Sequence, residues 1–251
     1  ITDEKPFMNV TKIHTDSYQQ QSTASGQRYP AVNEAVKNAL EVGALVVNYF
    51  GHGGEDGLAG ERIFTKVDAQ EIRNLCKFNL FVTVTCEFTK VDNPQRQTAG
   101  EFTYWNKEGG AIALITTTRQ IFVTVGVTVN EELDAYLFNF GSNDYPTMAE
   151  ALRLTKNDPS VAGINQKSLI FFIGDPAMKL SIAKPEIRLT AVNDLPVAEQ
   201  TGPLKALDRI KMSGEVYDSS GTFLSNYNGI LTATVLDKEI DRQTLGNDNG
   251  D

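Results

Sequence analysis

Four short runs that are apolar almost throughout constrain this chain more than any other feature: residues 44–50, 80–85, 111–116 and 168–173. A strand with one wet face alternates polar and apolar residues, so runs of this kind indicate strands covered on both faces. Amphipathic stretches separate them. Pro30 opens one in which Val32, Val36, Ala39 and Leu40 recur at helical spacing, and Gly43 supplies a left-handed stop. Asp68 with Glu71 reads as a capping box opening a short helix through Leu75. Thr98 with Glu101 forms a second box, ahead of Phe102 and Trp105, and Gly109-Gly110 ends that helix. Leu133, Tyr136, Leu137 and Phe140 share one face, and Thr147 with Glu150 starts a helix carrying Leu152 and Leu154. Apolar strands alternating with amphipathic helices predict an α/β domain over residues 1–184, a mostly parallel sheet with helices on both faces.

The two ends read differently. Residues 1–29 are polar, with a strand expected at 8–13 and a Gln/Ser/Thr/Gly loop at 19–27. Beyond Pro185 the period changes to two: Ile187, Leu189 and Ala191 alternate, as do Ile210, Met212, Gly214 and Val216. Asp218-Ser219-Ser220-Gly221 supplies a turn before Leu231, Ala233 and Val235. Residues 185–251 therefore read as the start of an all-β module, a partial immunoglobulin-like sandwich. The chain stops at Gly250-Asp251 without a structural ending, so it reads as a segment of a longer polypeptide.

Composition narrows the function classes. A net charge of −9 with no local basic cluster argues against a nucleic-acid partner. No apolar run approaches the roughly 18 residues of a membrane span, and the N-terminus lacks a signal-peptide pattern. Two cysteines and two histidines provide neither a disulfide framework nor a zinc site, so no metal or cofactor is expected. Cys76, just past Leu75, reads as buried packing, and His14 as a surface or loop residue.

The chemistry concentrates after the first two apolar runs. Asn48-Tyr49-Phe50-Gly51-His52-Gly53-Gly54 puts His52 in a glycine-lined turn, and the run at 80–85 delivers Cys86. Functional groups of parallel sheets collect outside the carboxyl ends of the strands, so neighbouring strands would bring these two side chains into one crevice. A free thiol with a pKa of ~8.5 is mostly protonated at neutral pH, and an imidazole partner can lower it to roughly 3–4. His52 would thus create the nucleophile and then protonate a leaving amine. Glycines 51, 53 and 54 would let the backbone approach a substrate, with the amides of Gly53 and Cys86 as oxyanion-hole donors. Thr117, Thr118 and Arg119, leaving the next strand, are candidates for the substrate pocket. Glu87 would face away from Cys86 in a continuing strand and toward an incoming amine if the chain turns there. Glu55 and Asp56 read as a solvated turn, the other reading being a structural calcium site. The turn lacks the Lys-Ser/Thr of a phosphate loop, and no G-x-S-x-G elbow occurs.

Four segments in order, Asn48-Tyr49-Phe50-Gly51-His52-Gly53, Thr85-Cys86-Glu87-Phe88, Gly109-Gly110-Ala111-Ile112-Ala113 and Phe172-Ile173-Gly174-Asp175-Pro176, resemble the gingipain family of cysteine peptidases. The resemblance covers roughly residues 8–184. It implies a caspase-like fold, Cys86 and His52 as the catalytic dyad, and a catalytic domain whose first part precedes this segment. Within that family, Gly60-Glu61-Arg62, Thr85-Cys86-Glu87-Phe88, Ala99-Gly100-Glu101 and Thr116-Thr117-Thr118-Arg119 are most similar to the sortases of the type IX secretion system of Bacteroidetes. The segments Gly214-Glu215-Val216-Tyr217-Asp218 and Asn228-Gly229 are similar to the domain that follows their catalytic region.

That resemblance implies removal of a C-terminal sorting domain from secreted protein cargo and joining of the new carboxyl end to anionic lipopolysaccharide. It also implies an outer-membrane, cell-surface location with type IX secretion components as partners. The alternatives are a gingipain-like endopeptidase in which water is the acceptor and a non-catalytic surface-binding scaffold. Retention of both His52 and Cys86 argues against the scaffold.

Overall fold

A computed structural model describes residues 8–24, 26–139, 145–182, 186–200, 202–205, 208–218, 221–227 and 233. The chain divides into two compact units, one through Leu180 and the other Ser181–Ile240. In the first, the elements in order are β1 (Gln21–Thr23), β2 (Gly26–Arg28), α1 (Pro30–Val42), β3 (Val46–Tyr49), β4 (Gly53–Gly54), β5 (Gly57–Leu58), β6 (Phe64–Thr65), α2 (Lys66–Glu71), β7 (Asn79–Thr83), α3 (Ala99–Trp105), β8 (Ala111–Thr117), α4 (Val123–Leu137), α5 (Met148–Asn157), α6 (Pro159–Ala162) and β9 (Ile170–Ile173).

Four of the strands form the main sheet in the order β3-β7-β8-β9. β3, β7 and β8 run parallel, and β9 closes the edge antiparallel to β8 with Leu114 opposite Ile173. All five residues of β7 are buried, as expected of a strand whose centre, Leu80-Phe81-Val82, is apolar on both faces. Phe81 joins a core cluster with Val32 and Leu40 of α1, Ala69 of α2 and Ala99 of α3. Leu80 and Val82, one residue to either side, point to the opposite face and are equally buried. α4 and α5 pack against each other and bury Val129, Leu133, Met148 and Leu152.

The helix ends follow local chemistry. Pro30 is the first residue of α1 and Gly43 ends it at φ 110°, a conformation that carries no Cβ penalty for glycine. The box at Thr98 and Glu101 is present in both directions, and Thr147 accepts from the Glu150 amide at 3.1 Å.

Four expectations are corrected. The box ahead of α2 uses Thr65 and Asp68, not Asp68 and Glu71, because the Asp68 carboxylate accepts from the Thr65 amide at 2.7 Å. α2 stops at Glu71, and the buried Asn74 then exchanges hydrogen bonds with Gly110, donating at 3.0 Å and accepting at 2.6 Å. That tie pulls the chain into a turn, so Cys76 is exposed at φ 64° rather than buried. Residues 8–13 form no strand, and the polar loop after them instead folds into the β1–β2 hairpin.

In the second unit, β10 (Glu186–Val192), β11 (Leu195–Pro196) and β12 (Met212–Tyr217) form an antiparallel sheet in the order β11-β10-β12. Asn193 and Asp194, both at positive φ, make the two-residue turn between β10 and β11. A bridge between Tyr217 and Phe223 extends the sheet. The expected strand at Leu231 and Val235 lies outside the described residues, as do Phe140 and Asn228-Gly229.

Candidate active site

The parallel register of β3 and β7 sets up the site. Val46 to Tyr49 pair with Leu80 to Thr83, a constant offset in sequence. Past the strand ends, the Thr85 hydroxyl donates to the Gly51 carbonyl at 2.5 Å, 34 residues away, which preserves that offset. His52 and Cys86 are the next pair at this spacing. Each stands three residues beyond a paired strand residue, at the carboxyl end of the sheet. His52 is exposed and Cys86 half-buried, with its thiol 3.8 Å from the Ile121 carbonyl.

The His52 turn is held from below. Tyr49 donates its hydroxyl to the His52 carbonyl at 2.7 Å, and the Ala59 amide donates to the same oxygen at 2.8 Å. Burial and the nearby Glu61 charge push the Tyr49 phenol up to about 12, so it stays a donor. A Cβ at Gly51 would come within 2.5 Å of that hydroxyl, and one at Gly53 within 2.6 Å of the Thr85 side chain. Glycines 51 and 53 thus admit Tyr49 and Thr85 of the protein itself, whereas Gly54 faces open space. Glu55 and Asp56 form the two-residue turn of the β4–β5 hairpin.

That turn is not simply solvated. Glu55 lies 3.3 Å from the ammonium of Lys90, accepts from Asn93 at 3.0 Å, and lies 3.4 Å from Arg96. Burial opposes ionisation of Glu55, but the bonds from Lys90 and Asn93 and the charges of Lys90 and Arg96 outweigh it and hold the carboxyl low. Hydrogen bonds from Lys66 and Arg96 hold Asp56 low in the same way. Lys90 also reaches Glu87 at 3.2 Å, so one cation joins the segment after His52 to the segment after Cys86.

The Cys86 segment leaves the sheet at Thr83 and turns, with Glu87 at φ 51°. Phe88 anchors the turn, fully buried and stacked on Phe81 with centroids 6.0 Å apart. The Thr89 amide donates to the Thr117 carbonyl at 3.1 Å and the Glu87 amide to the Arg119 carbonyl at 3.4 Å. Below it, the buried Thr116 hydroxyl bonds Thr83 at 3.0 Å and Thr89 at 2.8 Å.

The four polar residues expected at a substrate pocket sit around this turn, engaged with the protein. Thr117 is buried and donates its hydroxyl to the Thr85 carbonyl. The Thr118 amide donates to the Leu169 carbonyl at 3.1 Å. Arg119 forms a two-pronged pair with Asp92, which holds the Asp92 carboxyl low. Glu87 is paired with Lys90. Sequence reading missed Tyr49, Thr85 and Lys90, and the recurring 34-residue offset was the signal that could have revealed Thr85.

The sheet is that of the caspase-like α/β fold of the gingipains. The crystal structure of the Arg specific cysteine proteinase gingipain R matches with a TM-score of 0.52 at 16% identity, covering 62% of this chain and 39% of that one. The complex of Porphyromonas gingivalis RgpB pro- and mature domains matches with a TM-score of 0.52 at 17% identity, covering 62% of this chain and 40% of that one. The chain thus spans about two fifths of the length of these structures. Residues 1–181 match the model of peptidase family C25, and the chain belongs to that family of cysteine peptidases. No curated protein matches it.

Proposed function

We propose that Cys86 and His52 form the catalytic dyad of a thioester-forming transpeptidase of the type IX secretion sortase kind. The observation that supports it best is the strand offset that continues through Thr85 and Gly51 to this pair. His52 takes the thiol proton as the Cys86 sulfur attacks the peptide carbonyl. The tetrahedral oxyanion accepts from the Gly53 and Cys86 amides, each worth on the order of 3 kcal/mol in well-studied hydrolases. The C–N bond then breaks, His52 gives its proton to the leaving amine, and an acyl-thioester remains on Cys86. An incoming amine attacks the thioester, loses its proton to His52 and releases the thiolate with a new amide bond.

The cargo would be a secreted protein with a C-terminal sorting domain, and the acceptor an amine of anionic lipopolysaccharide at the outer-membrane surface. The hydrolytic reading uses the same steps with water as acceptor, and the fold shared with a cysteine proteinase favours it as the second choice.

The test incubates the full-length protein with sorting-domain cargo and a small amine and reads the new cargo terminus by mass spectrometry. The sortase reading predicts an amide adduct that vanishes in Cys86→Ala. A free carboxylate despite abundant amine would make the protein a hydrolase, and uncleaved but bound cargo would make it a scaffold.

A further inference from the structure

The polar residues around the Cys86 turn are engaged within the protein, and the surface next to the thiol is of another kind. The Ile121 carbonyl stands 3.8 Å from the Cys86 sulfur. A Cβ on Gly126 of α4 would lie 3.1 Å from the Phe50 ring and 3.9 Å from the Ile121 side chain, so both cover the same buried glycine. Phe50 is only two residues before His52, which places this apolar ground between the two reactive side chains' segments. It is open: Phe50 is 50% exposed, Phe122 71%, Val123 64% and Val127 39%.

The segments that build it hold no Asp, Glu, Lys or Arg between Glu41 and Glu55 or between Arg119 and Glu131. Arg119, at the margin, is already paired with Asp92. A charged side chain of a peptide would lose hydration here without gaining a partner, whereas an apolar one would cover exposed ring and methyl surface. Scattered exposed apolar residues are ordinary, but an uncharged set on the segment whose Ile121 carbonyl approaches a thiol is a candidate ligand surface.

We propose that Phe50, Ile121, Phe122, Val123 and Val127 form a subsite for an apolar side chain of the peptide, next to the scissile bond. This rests on the peptidase reading, because the peptide is placed by its carbonyl at Cys86. The subsite selects uncharged, apolar residues and rejects both basic and acidic ones.

The test measures binding of octapeptides that differ only in one central residue, Leu, Phe, Gly, Lys or Asp, to the Cys86→Ala protein, so no turnover is needed. The Leu and Phe peptides should bind at least about tenfold more tightly than the others, a step expected of a hydrophobic pocket. Phe122→Asp should abolish that preference. Phe122 holds the position before α4 without a side-chain cap, and Asp is favoured there, so this variant keeps its helix. Equal binding of all five peptides, a preference for Lys or Asp, or no binding at all would overturn the subsite. So would a concentration-dependent dimer that Phe122→Asp dissolves while peptide binding stays absent, since a second copy would then be the occupant. Cleavage by the wild-type protein reports separately: apolar binding without cleavage overturns the peptidase reading and, with it, the placement beside a scissile bond, and leaves only an apolar binding surface.

Discussion

The Thr85 hydroxyl donates to the Gly51 carbonyl at 2.5 Å, joining the residue before Cys86 to the residue before His52. This bond carries the register of β3 and β7 two residues beyond the sheet, with Cys86 and His52 the next residues along. Removing it with the isosteric Thr85→Val change leaves the Gly51 carbonyl without that donor. The expected cost is about 1 kcal/mol of stability and a fall in kcat/KM of roughly tenfold, because misplaced reacting groups lose rate steeply. Thr85→Ser, which keeps the hydroxyl, should retain most activity. Thermal melts with steady-state kinetics check both, and full activity in Thr85→Val would remove this bond from the account.

Tyr49 makes a second prediction, on alkaline stability. Its phenol is raised from 10.0 to about 12 by burial and by Glu61, so the neutral form is favoured in the folded state. The resulting stability is fully present below pH 10 and is lost as the pH rises from 10 toward 12. Tyr49→Phe should cost about 1 kcal/mol at pH 7.5 by losing the bond to the His52 carbonyl. The gap between wild type and variant should narrow above pH 10, measured by denaturant melts across the range.

Lys90 links Glu55 to Glu87 across the two site segments. Because the Glu55 carboxyl is held low, its contribution is present above its ordinary value of 4.5 and is lost as the pH falls through the lower folded value. Lys90→Met should lower the melting temperature at pH 7.5 and lower kcat, and the stability difference should shrink in acid. Lys90→Arg, which keeps the charge, should recover part of the activity. Added salt should weaken the wild type toward the Met variant.

Asp134 in α4 runs the other way. Burial pushes its carboxyl up from 3.8 to about 6, so ionisation works against the fold, and stability falls as the pH rises through 6. Asp134→Asn should therefore raise stability by about 1–3 kcal/mol at pH 7.5 and change it little near pH 4. Melting curves at the two pH values check the sign, and destabilisation at pH 7.5 would contradict it.

Much of this architecture was legible in the sequence because burial leaves a plain mark. Leu80-Phe81-Val82, apolar on both faces, marked a strand covered on both sides, and Pro30, Gly43 and Thr98 marked helix ends through single local interactions. The antiparallel course of β9 left no mark, because direction depends on the connection and not on the strand's own residues. α4 was harder still. Val123, Val125, Val127 and Val129 alternate like a strand, yet the segment is helical and buries Val125, Gly126, Val129 and Leu133 on one face; tertiary packing overrides β-branched propensity there. Around the site, the types of the two reactive residues were readable. The engagement of Arg119 with Asp92 and of Lys90 with both Glu55 and Glu87 was not, because exposed charges choose partners across long sequence separations.

The most direct measurement of the central claim traps the acyl-enzyme. The full-length protein is mixed with cargo, quenched in acid within a turnover, digested and examined by mass spectrometry. A Cys86 nucleophile predicts a cargo-derived acyl group on the peptide that contains it, absent from Cys86→Ala and strongly reduced in His52→Ala, with Cys76 unmodified in all three. Cleavage that persists in Cys86→Ala, or an acyl group carried by any other residue, would contradict it.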